Sequence, residues 1–352
     1  MRVSLIIPTY NRADFLVDAV NSAFAQDYSD LEIIIADNAS SDHTSSAAKY
    51  FSKDPRIKYF RNPENIGMVK NWRKAVLEYA TGEWFLILSD DDILTNTKFI
   101  SQAIEIIKSS KNVSVVYSNS YVFDEALNTI TKIKLPFAQI ENGSLVFSKR
   151  GTINPQDFAL CNVLFNRKSA LECDAFMNSN NLSCDTELFL RLCLRGSVGV
   201  IQEYSSIYRV HSGNLLKSAS RNIDLVMGSL DSLLVPLLEA EKAHMDPDVI
   251  RSFVVNSRIK REILVGLLKA SALSDNRARK LYFDLKTSSK GLKYKLLPSL
   301  FFFNLLTLSA KTLTPFFVLR KLALYLINTS KRFLFGHQIY FELLKQKVYI
   351  ID

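Results

Sequence analysis

The sequence predicts an α/β fold: a doubly wound, mostly parallel sheet, followed by a helical and basic C-terminal region. Short apolar runs alternate with segments of helical spacing over the first 117 residues, which is the order of a parallel sheet covered by helices. The runs do not alternate with polar residues, so we expect both faces of the sheet to be buried. The predicted strands are VSLII (3–7), LEIII (31–35), IKYF (57–60), WFLIL (84–88) and VSVVY (113–117).

Helices are predicted between these strands. The first one follows Asn11, a candidate N-cap, and carries apolar residues at three- and four-residue spacing. Residues 120–215 are more irregular in pattern, apart from one predicted helix. The other predicted helices lie at 40–50, 68–80, about 97–109, 185–194 and within 246–273.

Charge divides the chain into two parts. Residues 249–352 hold 19 Lys and Arg against 5 Asp and Glu, a net charge of +14, whereas residues 1–248 carry a net charge of −5. Such asymmetry suggests two roles in one chain. We predict the boundary near residue 220, from which point the strand signal fades. A solvated basic surface is the alternative. The basic part has apolar blocks rather than interleaved aromatic and basic residues, which argues against a nucleic-acid partner.

The most apolar stretch, residues 296–327, predicts a membrane surface contact rather than a membrane span. Its longest uncharged run, 296–310, has 15 residues, whereas a spanning helix needs about 20. Pro298 and Pro315 would break or kink a helix here. Interfacial helices with a basic rim fit better, and a buried helical hairpin is the alternative.

Cysteine spacing and the N-terminus both favour a cytoplasmic protein. Only six apolar or small residues follow Arg2 before Thr9, which is too few for a signal peptide. The cysteines show no metal-binding spacing and predict free thiols in a reducing compartment. They are Cys161, Cys173, Cys184 and Cys193.

Three polar clusters follow predicted strands: PTYNR (8–12), ADNASSD (36–42) and SDDD (89–92). In such sheets ligands bind beyond the carboxyl ends of the strands, so we expect the clusters to converge on one site. In the first two clusters, Asp37 is suited to a base or ribose hydroxyl, Tyr10 to stacking and Arg12 to an anion. Ordinary turn chemistry is the alternative for both clusters.

The acidic cluster predicts a cation site. Neighbouring carboxylates after a buried strand are costly unless a positive charge neutralises them, and Mg²⁺ or Mn²⁺ does this with oxygen ligands shared with phosphates. A surface turn is the alternative, in which Asp92 caps the following helix.

These segments resemble the family-two glycosyltransferases of the GT-A fold. VSLIIPTYNR, IIIADNASSD and NIGMVKNWRKAVLEYATGEWFLILSDDD occur in the family's order and spacing, and the resemblance covers residues 3–215. It implies a nucleotide-sugar-binding and catalytic domain over 1–220, with a membrane-associating region over 221–352. It places Asn65 in a family turn, and Lys70 or Arg73 near the base or phosphates. The residues implied around the base and ribose are Pro8, Thr9, Tyr10 and Asp37.

The resemblance also implies the reacting groups. The family's acidic motif has an acid where Ser89 stands, so Ser89 is a departure at the ribose. Asp91 corresponds to the metal ligand, and Asp90 to a neighbouring ribose or metal-facing position. IYRVHSGN (207–214) resembles a segment that brings Arg209 and His211 to the diphosphate, with His211 as a second candidate ligand. A strand-end histidine with a satisfied hydrogen bond is the alternative for His211.

In the same way, CDTELFLRL (184–192) resembles the segment that supplies the family's general base. Asp185 takes the base position, Cys184 replaces an acid, and Arg191 matches a family arginine. A helix-end acid is the alternative for Asp185.

The expected function is inverting, metal-dependent sugar transfer from a nucleotide sugar to a lipid-linked or polysaccharide acceptor. The expected setting is bacterial surface polysaccharide synthesis, such as O-antigen or capsule, on the inner face of the membrane. A non-catalytic scaffold and a sugar nucleotidyltransferase are the alternatives. PTYNRAD (8–14) lacks the glycines of a phosphate loop, which counts against the nucleotidyltransferase.

Overall fold

A computed structural model describes residues 1–150, 159–213 and 223–260, with eight further positions between 262 and 287. Contacts divide the chain into two units, Met1–Glu262 and Ile263–Asp352. The apolar stretch 296–327 and the predicted boundary at residue 220 lie outside the described residues. Within the described residues, we find no helix whose length and hydropathy would suit a membrane crossing.

Ten strands and nine helices are found in the described part of the chain. The strands are β1 (Val3–Thr9), β2 (Leu31–Asp37), β3 (Ile57–Arg61), β4 (Trp84–Ile87), β5 (Ile93–Leu94), β6 (Val113–Asp124), β7 (Thr129–Ile133), β8 (Ile140–Asn142), β9 (Val163–Asn166) and β10 (Ser197–Val210). The helices are α1 (Ala13–Phe24), α2 (Thr44–Phe51), α3 (Met68–Lys74), α4 (Phe99–Ser109), α5 (Gly143–Ser148), α6 (Arg167–Glu172), α7 (Cys184–Cys193), α8 (Ile223–Lys242) and α9 (Pro247–Asn256).

All ten strands belong to one sheet, in the order β3-β2-β1-β4-β9-β6-β10-β5, with β7 beside β6 and β8 beside β10. The pairs β1–β2, β2–β3, β1–β4 and β6–β10 are parallel, whereas β5, β7, β8 and β9 pair antiparallel with their neighbours. The predicted α/β fold is confirmed. The sheet is mixed, because the strands that follow β4 in the chain add antiparallel pairs.

The first half of the sheet is buried on both faces, as its apolar runs predict. Every residue of β1 and β2 is buried, and α1 covers one face with Leu16, Ala19, Val20 and Ala23. A fully buried leucine or valine contributes about 1.5–3 kcal/mol to folding. This core fixes the strand ends that carry the polar clusters.

The prediction that Asn11 caps α1 is wrong. The helix begins at Ala13 with Arg12 in the N-cap position, and Asn11 has a left-handed backbone (φ 54°), which asparagine tolerates. Asn11 Oδ1 accepts from Ser41 N–H at 2.7 Å, and Asp42 Oδ2 accepts from Ala13 N–H at 3.1 Å. The first two polar clusters are therefore joined, and Arg12 stands at the start of the helix.

The long strand β10 was missed by the sequence analysis. Its pairing with β6 shifts register between Ile201 and Tyr204 and again between Tyr204 and Ile207. Ser205 and Ser206 lie at the second shift and are buried, so this part of the strand lacks an apolar run. Beyond the second shift, the strand brings its last residues beside the acidic turn.

Candidate active site

The acidic cluster forms a tight turn after β4. Asp92 N–H donates to Ser89 O at 3.0 Å, and the carboxylates of Asp90, Asp91 and Asp92 are all buried. Asp92 caps no helix, since α4 begins at Phe99. Its Oδ1 instead accepts from Arg209 N–H at 2.9 Å, which ties the turn to β10.

Arg12 supplies the positive charge beside this turn. Its Nη1 donates to Asp91 Oδ2 at 2.6 Å and to Asp90 Oδ1 at 3.1 Å, while Nη2 donates to Gly213 O at 2.9 Å. The arginine side chain is 25% exposed, so it covers the carboxylates from the solvent side. Charge-assisted bonds of this kind are among the stronger ones in proteins.

Burial and mutual repulsion shift the acids of the turn. Burial, followed by repulsion from Asp91, raises the pKa of Asp90 to about 6 against the attraction of Arg12. Burial and Asp91 likewise raise the pKa of Asp92 well above its usual range, although the Arg209 N–H bond opposes this. The turn therefore resists full ionisation and favours a positively charged partner.

His211 lies against the same carboxylate as Arg12. Its Nε2 is 2.9 Å from Asp91 Oδ2, its Nδ1 accepts from Gly213 N–H at 3.1 Å, and its ring packs 5.4 Å from that of Phe15. The Arg209 guanidinium lies 5.0 Å from the Phe15 ring centre, with Nη1 3.8 Å from Glu125 Oε1. The structure thus brings Asp91 and His211 into contact, and holds Arg209 beside them.

Asp91 and His211 form a donor set that fits a divalent cation. One carboxylate oxygen and one imidazole nitrogen suit Mn²⁺, and Mg²⁺ accepts the oxygen, provided that phosphate oxygens and water complete the shell. Across the described residues, we find no group of three His, Cys, Asp or Glu side chains arranged for a metal. The fit is therefore to a cation shared with substrate phosphates, and not to an all-protein metal cage.

Asp185 stands in the first turn of α7, with a carboxylate suited to accept a proton. Burial raises its pKa to about 6, against the hydrogen bond from Thr186 N–H (2.8 Å) and the charge of Arg150. A base is most effective when its pKa lies near the working pH. Cys184, which stands where the family has an acid, is buried and packs in the core.

Tyr208 on β10 connects the two acidic groups electrostatically. Burial, followed by the charges of Asp92, Asp91, Cys161 and Asp185, raises its pKa to about 12. The pKa of Tyr208 is therefore affected by both the acidic turn and Asp185 in the first turn of α7.

The next acids and bases of α7 are engaged elsewhere. Arg191 Nη2 lies 2.6 Å from Glu239 Oε1 on α8, and its Nη1 donates to Glu187 Oε1 at 3.0 Å. Asn181 Nδ2 donates to Glu187 Oε2 at 2.6 Å. Arg191 thus joins α7 to α8, and Glu187 is held by its neighbours.

On the other side of the acidic turn, Asp37 is held at the end of β2. It is fully buried, and its Oδ1 accepts from Ser40 N–H at 2.8 Å while its Oδ2 accepts from Tyr59 O–H at 2.7 Å. Arg61 Nε lies 3.6 Å from the same Oδ2. Tyr59 and Arg61 were missed by the sequence analysis, since only the pairing of β2 with β3 places them beside Asp37.

The remaining predicted nucleotide residues surround this strand end. Pro8 and Thr9 are buried at the end of β1, and Thr9 O accepts from Asn38 N–H at 2.9 Å. Asn65 Oδ1 accepts from Asn38 Nδ2 at 2.8 Å and from Gly67 N–H. Three of these residues, Tyr10, Asn65 and Lys70, are exposed.

Comparison with known proteins identifies the family of the domain. Residues 4–172 match the model of glycosyl transferase family 2. Over 95 residues, the chain is 44% identical to the GalNAc(5)-diNAcBac-PP-undecaprenol β-1,3-glucosyltransferase of Campylobacter jejuni, covering 26% of this chain and 30% of that protein. Over 117 residues, it is 33% identical to the UDP-Glc:α-D-GlcNAc-diphosphoundecaprenol β-1,3-glucosyltransferase WfgD of Escherichia coli, covering 33% and 45%.

A longer match, 28% identical over 249 residues, is to an uncharacterised glycosyltransferase of Rickettsia conorii, covering 69% of this chain and 40% of that protein. The chain thus spans less than half the length of each of these three relatives.

Solved structures share the fold at low identity. TarS of Staphylococcus aureus in complex with UDP matches with a TM-score of 0.57 and 16% identity, covering 80% of this chain and 83% of that chain. The mannosyltransferase PcManGT of Pyrobaculum calidifontis, in complex with GDP-Man and Mn²⁺, matches with a TM-score of 0.51 and 16% identity, covering 92% and 83%. Residues 4–172 therefore form a domain of glycosyl transferase family 2.

Proposed function

We propose that the protein is an inverting, metal-dependent glycosyltransferase. It moves a sugar from a nucleotide-sugar donor to a hydroxyl of a lipid-linked glycan during bacterial surface polysaccharide synthesis. The observation that carries this proposal is the contact of Asp91 with His211 and Arg12 at the acidic turn. Asp185, in the first turn of α7, adds a carboxylate whose pKa burial raises to about 6. One group suits the leaving diphosphate, and the other suits the attacking hydroxyl.

On the donor side, Asp37, Tyr10 and Asn65 hold the nucleoside end, and the acidic turn receives the diphosphate. Asp91 and His211 would hold Mn²⁺ or Mg²⁺, which neutralises charge on the departing diphosphate when bound. Arg12 lies beside the same carboxylates and supplies a positive charge for those phosphates.

On the acceptor side, Asp185 takes the proton from the attacking hydroxyl. The hydroxyl oxygen forms the new bond to the anomeric carbon as the bond to the diphosphate breaks on the opposite face, so the configuration inverts. Desolvation keeps the carboxylate weakly basic near neutral pH, as a general base requires. Glu187 is a poorer candidate, since Arg191 and Asn181 occupy both of its oxygens.

A lipid-linked acceptor and a membrane-surface location complete the proposal. Two relatives carry names that specify undecaprenol-linked or diphosphoundecaprenol-linked acceptors. Residues 249–352 combine a net charge of +14 with apolar blocks. This combination suits attachment to an anionic membrane from the cytoplasmic side.

The test is a transfer assay with the full chain. Nucleotide sugars are screened with Mn²⁺ by thermal shift, since specific binding stabilises the folded state. Donors that bind are then incubated with a polyprenyl-diphosphate-linked N-acetylglucosamine, and the products are analysed by mass spectrometry. We expect a product one sugar heavier, lost in Asp91→Asn. Donor binding without transfer would favour a scaffold, and diphosphate release from a nucleoside triphosphate with a sugar phosphate would favour a nucleotidyltransferase.

A further inference from the structure

Four residues close a ring of hydrogen bonds beside the acidic turn. Arg12 Nη1 donates to Asp91 Oδ2 at 2.6 Å, and the same oxygen lies 2.9 Å from His211 Nε2. Gly213 N–H donates to His211 Nδ1 at 3.1 Å, and Gly213 O accepts from Arg12 Nη2 at 2.9 Å. The ring joins the start of α1, the acidic turn and the chain that follows β10.

The direction of these bonds assigns the tautomer of His211. Because Gly213 N–H donates to Nδ1, this nitrogen is an acceptor and carries no proton. The neutral imidazole then carries its proton on Nε2, which donates to Asp91 Oδ2. In this arrangement His211 acts as a hydrogen-bond donor towards Asp91.

A divalent cation makes the opposite demand on the same atoms. Binding through Nε2 needs the lone pair of that nitrogen, so the proton must sit on Nδ1. The Gly213 N–H group then loses its acceptor, because Nδ1 now carries a hydrogen that points at the Gly213 hydrogen. Arg12 is also in the way, since its Nη1 lies 2.6 Å from the Asp91 oxygen that the cation would use.

Gly213 is suited to this close approach. A Cβ atom at this position would lie 3.1 Å from both Cε1 and Nδ1 of His211, which is tighter than most real contacts. The absence of a side chain therefore lets the main chain reach the imidazole on one side and the Arg12 guanidinium on the other.

We propose that Arg12 is the internal counter-ion of Asp91, and that Arg12 and a divalent cation are alternative partners of Asp91 and His211. A cation held by Asp91 and His211 would require the ring to open, with the His211 proton on Nδ1 instead of Nε2 and the Gly213 main chain released. The inference rests on the proposed function, because the cation belongs to it. It implies weak cation binding alone and tighter binding with a nucleoside diphosphate, whose phosphates give the guanidinium a new partner.

The first experiment measures Mn²⁺ affinity of the full chain by electron paramagnetic resonance. Arg12→Gln removes the competing charge, and we expect Mn²⁺ to bind about tenfold or more tightly than in the wild type. Arg12→Lys is the matched control, because it keeps a positive charge and should remain within about threefold of the wild type. Thermal unfolding confirms that both variants are folded.

The second experiment reads the His211 tautomer of the metal-free protein by ¹⁵N resonance. The chain has four histidines, so the His211 signal is assigned by its loss in His211→Gln. We expect the Nε2–H tautomer in the wild type, and the Nδ1–H tautomer would overturn the proposal.

The outcomes separate this inference from the proposed function. Sugar transfer by the wild type, together with an unchanged Mn²⁺ affinity in Arg12→Gln, would refute the ring as a competitor and leave the proposed function standing. Tighter Mn²⁺ binding in Arg12→Gln, with no sugar transfer by the wild type, would support the ring and refute the function. A failure of both proteins to bind Mn²⁺ would overturn the ring proposal together with the metal dependence.

Discussion

Single residues in this protein have functions that neighbours in the sequence do not share. Asp90 and Asp91 face Arg12, whereas Asp92 receives the main-chain N–H of Arg209. The sequence predicted that the three acids need a positive partner. It did not identify Arg12 as that partner, because 78 residues separate Arg12 from Asp90 and only the parallel pairing of β1 with β4 brings them together.

Another buried acid, Glu32 on β2, has a structural role. It is fully buried and accepts hydrogen bonds from Ser4 Oγ (2.6 Å), from Thr81 N–H and Oγ1 (2.7 and 2.8 Å), and from Lys58 Nζ (2.8 Å). Burial opposes its ionisation, but these bonds outweigh burial and lower its pKa from 4.5 to about 2. Glu32 therefore stabilises the folded state through its charged form.

We predict that Glu32→Gln lowers the free energy of unfolding by about 2–4 kcal/mol at neutral pH, since a buried charged hydrogen-bond network loses its acceptor. The pKa of Glu32 is lower in the folded than in the unfolded protein. Its contribution is therefore complete above about pH 4.5 and decreases as the pH falls towards 2.

Urea unfolding between pH 3 and 7 checks this prediction. The exposed Asp30, replaced by Asn, is the matched control. A Glu32→Gln variant as stable as the wild type at pH 7 would contradict the structural role.

At the scale of elements, α8 holds the segment that carries Asp185. Asn178 Nδ2 donates to Asp231 Oδ2 at 2.6 Å, and Glu239 on α8 pairs with both Arg191 (2.6 Å) and Arg195 (3.0 Å). A side chain on Gly228 would lie 2.2 Å from Asn180 O, so α8 approaches this loop at backbone distance. The helix thus supports α7 and the loop before it from one side.

We predict that Glu239→Gln slows sugar transfer more than it weakens donor binding. The variant loses two ion pairs, which are partly buried and worth about 1–2 kcal/mol together. Because these pairs fix α7, we expect kcat to fall several-fold while donor affinity stays within about twofold.

The control for Glu239→Gln is Asp248→Asn, which breaks an exposed pair with Arg251 on α9. Steady-state kinetics gives kcat, and titration with the donor gives its affinity. Equal changes in kcat for the two variants would contradict a positioning role of α8.

Elements were predicted well where the pattern is apolar and local. The strands β1 to β4 and the helices α1, α4 and α7 follow the predicted segments closely, because parallel strands buried on both faces give continuous apolar runs. The strand β10 was not predicted, because the buried polar residues Ser205 and Ser206 interrupt its apolar pattern where its register shifts. Since β10 leads to His211, the sequence resemblance found that residue where periodicity did not.

At the scale of the whole molecule, charge asymmetry predicts how the chain meets a membrane. Residues 249–352 carry a net charge of +14, which attracts anionic lipid headgroups within a Debye length of about 8–10 Å at physiological salt. The net charge of −5 over residues 1–248 opposes such contact by the first part of the chain.

We predict that the full chain sediments with vesicles containing phosphatidylglycerol and not with pure phosphatidylcholine vesicles. Raising the salt to about 0.5 M should release most of the bound protein, because screening shortens the electrostatic reach. Co-sedimentation at several salt concentrations measures this. A chain that stays in the supernatant at low salt with anionic vesicles would contradict membrane attachment.

The role of Asp185 as general base is tested most directly by one measurement. It is the transfer rate of Asp185→Asn, relative to the wild type, at saturating donor and acceptor. We predict a loss of about 10²–10⁴-fold with unchanged affinity for the donor, because the isosteric amide keeps the site but accepts no proton. Glu187→Gln, on the same helix, should lose only a few-fold, since its carboxylate binds Arg191 and Asn181. A transfer rate of Asp185→Asn within a few-fold of the wild type would contradict the role of Asp185 as the general base.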